Sequence, residues 1–126
     1  MAVTSGTVHS VDTIEAWQDL QVARVLFTMS GTYAQADNSI LAGVPTLIQN
    51  SRRNGKTVTM RGVMVGQPAR RASAPGTIYG LKTVAISSSD VTFEITNSDY
   101  STEFADATAI PEQSQPFGIM VAFTEA

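Results

Sequence analysis

Ser51-Arg52-Arg53-Asn54-Gly55-Lys56-Thr57-Val58-Thr59-Met60-Arg61-Gly62-Val63-Met64-Val65 is the stretch on which the fold turns. It joins the expected end of a helix to an expected central strand, and it opens a basic region of the chain. Asn54-Gly55 supplies the positive φ angles that a helix C-cap or tight turn requires. Beyond it, Val58, Met60 and Met64 fall on one face of an extended segment, and Thr57, Thr59 and Arg61 on the other. Such a strand has an apolar side to bury, and the other strands read as its partners. The expected fold is mainly β: an antiparallel β-sandwich or barrel-like body with one or two short helices and an extended N-terminal arm.

Upstream, Gly43-Val44-Pro45 places proline at a favourable first helical position. A helix is expected from Thr46 to Arg53, with Leu47 and Ile48 inward. Arg52 and Arg53 stand at its C-terminus, where the helix dipole favours cations, and Gly55 closes it. Gln21 to Tyr33 reads as a strand with Ala23, Val25, Phe27 and Met29 on one face. Its other face, with Val22 and Leu26, is also partly apolar, so both faces are expected to be covered. Asp12-Thr13-Ile14-Glu15 has the spacing of a capping box, which points to a short helix from Thr13 to Leu20. An extended segment running directly into the strand is the alternative. Residues 1–11 are small and polar and read as an arm, with 12–126 as a single β-rich domain.

Downstream, Gly66 to Thr77 holds two prolines, two glycines and two arginines, and reads as a long exposed loop. Strand structure resumes at Ile78 to Ile86. Ser87-Ser88-Ser89-Asp90 turns the chain, and Val91, Phe93 and Ile95 then alternate with Thr92, Glu94 and Thr96 in a hairpin pattern. Residues 97–109 are acidic and irregular. Phe117, Ile119, Val121 and Phe123 mark a last strand.

At 126 residues the chain is long enough to bury a core without covalent staples. The charged fraction of 15% is below the usual ~25%, a composition suited to sheets that meet other protein. Without cysteine, disulfides, thiolate metal sites and a cysteine nucleophile are excluded. No apolar run approaches the ~20 residues of a membrane helix, and the N-terminus has no signal-peptide pattern, so no membrane partner is expected. His9 is the only histidine and lies in the expected arm, which disfavours triad catalysis and histidine metal sites. Asp99, Glu103 and Asp106 lack the spacing of an EF-hand loop. No phosphate-cradling glycine motif is present. The expectation is a chain that is not an enzyme, with no metal and no cofactor.

The charges are segregated. Arg52, Arg53, Lys56, Arg61, Arg70, Arg71 and Lys82 follow one another without an acid between them. Asp90, Glu94, Asp99, Glu103, Asp106, Glu112 and Glu125 then follow without a base. One reading is that antiparallel neighbours in one sheet balance each other. The other is that the basic part of one copy meets the acidic part of the next. A pI of about 4.9 disfavours nucleic acid as a partner, which calls for a basic domain. Arg70-Arg71-Ala72-Ser73 also fits a basic-directed kinase pattern, but so short a string recurs by chance, and the reading adopted is an ordinary solvated loop.

Three stretches together resemble a family of small phage virion proteins. They are Val25-Leu26-Phe27-Thr28-Met29-Ser30-Gly31-Thr32-Tyr33, then Pro45-Thr46-Leu47-Ile48 with Arg53-Asn54-Gly55-Lys56-Thr57-Val58, and the closing Pro116-Phe117-Gly118-Ile119-Met120-Val121-Ala122-Phe123. Over roughly residues 22–123 the chain is similar to the capsid cement, or decoration, proteins of tailed bacteriophages. The resemblance implies a β-rich homo-oligomer, commonly a trimer, made in the host cytoplasm. It would bind the major capsid protein on the outer surface of the head and brace the lattice. Candidate contact residues are Val3 and Val8 of the arm, Arg52 and Arg53 at the helix end, and Arg70 and Arg71 of the loop. The alternatives are another phage structural subunit, such as a tail-tube, neck or fibre-base protein, or a ligand- or glycan-binding β-sandwich.

Overall fold

A computed structural model describes residues 6–17, 20–37 and 39–126. The chain order is β1 (Gly6–Trp17), β2 (Leu20–Met29), β3 (Ser39–Leu41), α1 (Val44–Arg52), β4 (Val58–Gln67), β5 (Ala69–Arg71), β6 (Ala74–Ser87), β7 (Asp90–Thr96), β8 (Gln113–Gln115) and β9 (Phe117–Glu125). The strands form two antiparallel sheets, β1-β2-β9-β4 and β3-β7-β6-β5-β8, one of them curled into a half-barrel. The mainly β body expected from the sequence is the observed one.

Period-2 alternation puts the core between the sheets. Ala23, Val25, Phe27 and Met29 of β2 and Phe117, Ile119, Val121 and Phe123 of β9 face Val91, Phe93 and Ile95 of β7, all buried. Phe27 links the layers, its ring centroid 5.4 Å from Phe93 and 5.7 Å from Phe117. Helix α1 buries Val44 and Ile48 against this core. Pro45 lies in its first turn, and the left-handed residue at its C-cap is Arg53 (φ 52°) rather than Gly55. The Arg53 N–H donates to the Gln49 carbonyl at 2.9 Å, which satisfies one of the last helical carbonyls. Gly55 (φ 72°) completes the turn into β4.

Five expectations are corrected. The central strand is β9, between β2 and β4, and β4 lies at the border of its sheet. The register of β4 also slips by one residue between Met60 and Gly62. This bulge leaves Arg61 without a cross-strand position and reverses the facing of the residues beyond it, so Val63 turns to the core and Met64 to solvent.

The expected helix from 13 to 20 is extended instead: β1 runs to Trp17, its last pair being Trp17 with Leu20. Nearest-neighbour capping signals lost to the unpaired flank of β2, which binds a strand along its full length. For the same reason residues 6–11 are no arm, because Gly6, Thr7 and Val8 pair with Met29, Thr28 and Phe27. Residues 1–5 lie outside the described residues.

The expected loop from 66 to 77 is mostly sheet. Gln67 ends β4, Ala69 is fully buried opposite Tyr79, and β5 and β6 form a hairpin. The prolines misled because they occupy places where no ladder N–H is needed. Pro68 sits in the break between β4 and β5, and Pro75 in the irregular stretch before Ile78 pairs with Arg70.

Candidate protein-docking surface

The outward side chains of β2, β9 and β4 line up in rows across the sheet. Val22 is opposite Ala122, and Ala122 opposite Gly62. Arg24 is opposite Met120, and Met120 opposite Met64; Leu26 is opposite Gly118, and Gly118 opposite Gln67. Val22, Leu26, Met64, Met120 and Ala122 therefore make an apolar strip on the side of the sheet turned away from the core. Gly62 and Ala122 rise so little from the backbone that a hollow of about 200 Å³ forms over them, walled by Val22, Val63, Met64 and Met120. Met64 stands beside it as a knob, 64% exposed.

The rim is charged. Arg24 faces Asp12 of β1 at 3.6 Å, both side chains about half exposed, so this pair contributes little. Arg61, the bulge residue, donates to the Thr124 hydroxyl at 3.0 Å. An apolar centre rich in methionine with arginine at the border has the composition of protein contact surfaces.

The residues singled out from the sequence are not brought together. Val8 is half-buried against the core, and Val3 lies outside the described residues. The side chain of His9 also lies outside them. Arg52 is committed internally: it binds Glu125 through Nε at 3.2 Å and Nη2 at 2.8 Å. Arg53 is exposed at the helix C-cap. Arg70 and Arg71 project from the β5–β6 hairpin, Arg70 donating to Gln115 and the Pro75 carbonyl, Arg71 to the Ser73 hydroxyl. The methionine strip was not legible, because its key member, Met64, owes its direction to the bulge. The only signal was Met120, set opposite in phase to Ile119 and Val121.

The acidic residues of 97–109 serve the fold. Asp99 accepts from the backbone of Ser101 and Thr102 and from the Thr102 hydroxyl at 2.6 Å. That hydroxyl, with the two amides, holds its carboxyl down to about 2. Glu103 accepts from the Tyr33 hydroxyl at 2.6 Å, and Asp106 from the Gln35 N–H at 2.8 Å. Burial, then the bond to Glu103, pushes the Tyr33 phenol well above its ordinary value. Three carboxylates thus anchor three separate points of the loop. Among the described residues no group of three or more His, Asp or Glu side chains is placed to hold a metal, and no helix is long and apolar enough to cross a membrane. A second, more polar cleft of about 320 Å³ lies between Thr28, Ser30, Ile110 and Gln113.

Compared with family models, curated proteins and solved structures, the chain matches none.

Proposed function

We propose that this chain is a structural subunit of a virus particle, a capsid cement protein of the tailed-bacteriophage kind, which attaches to the outer head surface in several copies and stabilises the lattice. The observation that supports this reading is the methionine strip on the outside of the four-stranded sheet. A protruding Met64 on the border strand, beside an apolar hollow, is a surface fitted to protein. The resemblance of residues 22–123 to cement proteins supplies the kind of assembly. On this reading the protein works by contact and multiplicity. Once one copy of an oligomer is seated, further contacts are intramolecular, which raises avidity by ~10²–10⁴ without stronger single contacts.

The β5–β6 hairpin offers the cationic contact to the major capsid protein, through Arg70 and Arg71. Co-sedimentation with expanded empty heads tests the reading. The wild-type chain is expected to pellet with the heads and to raise their resistance to heat or denaturant. Arg70→Glu with Arg71→Glu should pellet less, most visibly at low salt, with an unchanged thermal midpoint of the free protein. A wild-type chain that stays in the supernatant at every salt concentration would refute the assignment.

A further inference from the structure

We infer that Asn54 is a modification site: in the folded chain it loses its side-chain nitrogen as ammonia through attack by the Gly55 nitrogen, and the carboxylate left behind disrupts the cluster around Glu125. The inference goes beyond the capsid reading and does not depend on it.

The turn between α1 and β4 meets three requirements of this reaction. The first is an unhindered nucleophile. Gly55 has no Cβ, and the space around it is open. Its N–H makes no hydrogen bond among the described residues, whereas those of Arg53, Lys56 and Thr57 are all taken up. The second is a carboxamide folded back on its own peptide. Asn54 Oδ1 accepts the Lys56 N–H at 3.1 Å, which closes an Asx turn and bends Cγ back toward the Gly55 nitrogen. The same N–H polarises the carbonyl and is in place to stabilise the oxyanion that attack creates. The third is access. Asn54 and Gly55 are both exposed, so hydroxide reaches the Gly55 proton and ammonia escapes.

The step balances with water as its only co-reactant. The Gly55 N–H gives its proton to solvent, and its nitrogen bonds to Asn54 Cγ. The Cγ–Nδ2 bond breaks, and Nδ2 takes a proton from solvent and leaves as ammonia. The cyclic imide then adds water. Opening at Cγ leaves aspartate, and opening at the main-chain carbonyl leaves isoaspartate. The other asparagines, Asn38, Asn50 and Asn97, are each followed by serine, whose side chain crowds the attack.

The product matters because of what Asn54 touches. Its Nδ2 donates to Glu125 Oε2 at 2.8 Å, and the Glu125 side chain is only 4% exposed. The reaction replaces that donor with a second carboxylate at the same place, and two carboxylates so close do not both stay charged without cost. Isoaspartate also lengthens the main chain just before Thr57. There the Thr57 N–H donates to the Ala126 carbonyl and the Ala126 N–H to the Thr57 carbonyl, both at 3.0 Å. The change runs one way, so it is a timed weakening of the junction between this turn and the end of β9.

Incubation of the intact chain in mildly alkaline buffer, folded and in parallel unfolded in urea, tests this by ammonia release and peptide mass mapping. The folded chain should exchange NH₂ for OH at Asn54, ahead of Asn38, Asn50 and Asn97, and faster as pH rises. Its rate should be no less than about one-tenth of the unfolded rate, and Asn54→Gln should abolish the exchange at this position. Asn54→Asp, which installs the product directly, should lower the urea midpoint at pH 7. In a Glu125→Gln background the same substitution should cost little, because the opposing charge is gone. Three results would overturn the inference. They are a folded chain that keeps Asn54 intact while the unfolded chain loses it, faster conversion at an asparagine followed by serine, and an Asn54→Asp effect that is absent or equal in both backgrounds.

Discussion

Replacing Arg52 by methionine should cost about as much as breaking a buried ion pair, not a surface one. Glu125 lies near the end of β9 with its side chain only 4% exposed. Its Oε1 accepts from Gln21 Nε2 at 2.6 Å and Arg52 Nη2 at 2.8 Å, and its Oε2 from Arg52 Nε at 3.2 Å and Asn54 Nδ2 at 2.8 Å. The bond from Arg52, helped by Asn54 and Gln21 against the cost of burial, holds the carboxyl down to about 2. Against an unfolded value of ~4.3 this is worth ~3 kcal/mol, reduced to ~2–3 kcal/mol because Arg52 itself is partly exposed. A carboxyl lowered by folding stabilises above its unfolded value and loses that contribution as pH falls through the folded one. The window is therefore pH ~4.3 down to about 2. Methionine keeps the apolar stem of Arg52 and removes only the charge and its donors. Urea titrations at pH 7 should show a loss of ~2–3 kcal/mol for Arg52→Met, where an exposed pair would lose ~0–1 kcal/mol. Asp99 titrates over the same window, so the informative curve is the difference between wild type and Glu125→Gln. That difference should shrink as the pH drops from ~4.3 toward about 2. A loss below ~1 kcal/mol for Arg52→Met, or parallel pH profiles for wild type and Glu125→Gln, would refute the reasoning.

Gln113→Ala removes the carboxamide that accepts the Met29 N–H at 2.8 Å and donates to the carbonyls of Met29 and Pro111, leaving a buried amide unpaired. A loss of ~1–3 kcal/mol is expected by chemical denaturation, and no measurable loss would contradict the pairing. Gly80→Ala puts a methyl 2.6 Å from Tyr100 Cδ1 and 2.8 Å from Thr96 Oγ1. Tyr100 is exposed and can swing aside while Thr96 is buried, so a ~1–3 kcal/mol loss should persist when Tyr100→Ala is added; full recovery would show that the ring alone was in the way. Deleting residues 1–10 takes the Gly6–Ser10 segment off β2 and removes Val8 from its packing against the core, and should lower the melting midpoint by several degrees. An unchanged midpoint would mean that this segment contributes nothing to the sheet.

How far the sequence could be read depended on whether a residue's fate was decided by its neighbours in the chain or by its neighbours in space. β2, β7 and β9 were legible because clean alternation needs only the pleat and an apolar partner. The β6–β7 hairpin closes at Ser87 and Asp90 as its turn residues indicate. Helix α1 was legible from Pro45 and its last-turn cations. The failures were non-local. The capping box at Asp12–Glu15 is a local preference of ~1 kcal/mol, and a full strand of pairing outweighs it. The prolines around Arg70 are strand breakers only where the ladder asks for their N–H, and register is set by the partner strand. Met64 is the instructive miss. Counting by twos from Val58 puts it inside, and one extra residue at Arg61 puts it outside. The residue that protrudes most from the outer face of the sheet was thus the one whose facing a sequence pattern could not give.

Part of the charge segregation is balanced within the body, and the cations left over locate where assembly should be sensitive to salt. Arg52 meets Glu125, and Lys82 meets Glu94, its cross-strand partner, at 3.6 Å, so part of the basic stretch is balanced within the body. Arg53, Lys56, Arg61, Arg70 and Arg71 pair with no carboxylate among the described residues. They lie in the α1–β4 turn, on the border strand β4 and on β5 of the β5–β6 hairpin, and none lies on the central strand β9. Internal pairs that are held close, as at Glu125, respond weakly to ionic strength, whereas contacts made by free cations with another protein are screened within ~8–10 Å at ordinary salt. Stability of the single chain should therefore change little with salt. Attachment through Arg70 and Arg71 should weaken as salt rises. A folded-state midpoint as salt-sensitive as assembly would place those cations inside the fold's own balance and leave none for a partner.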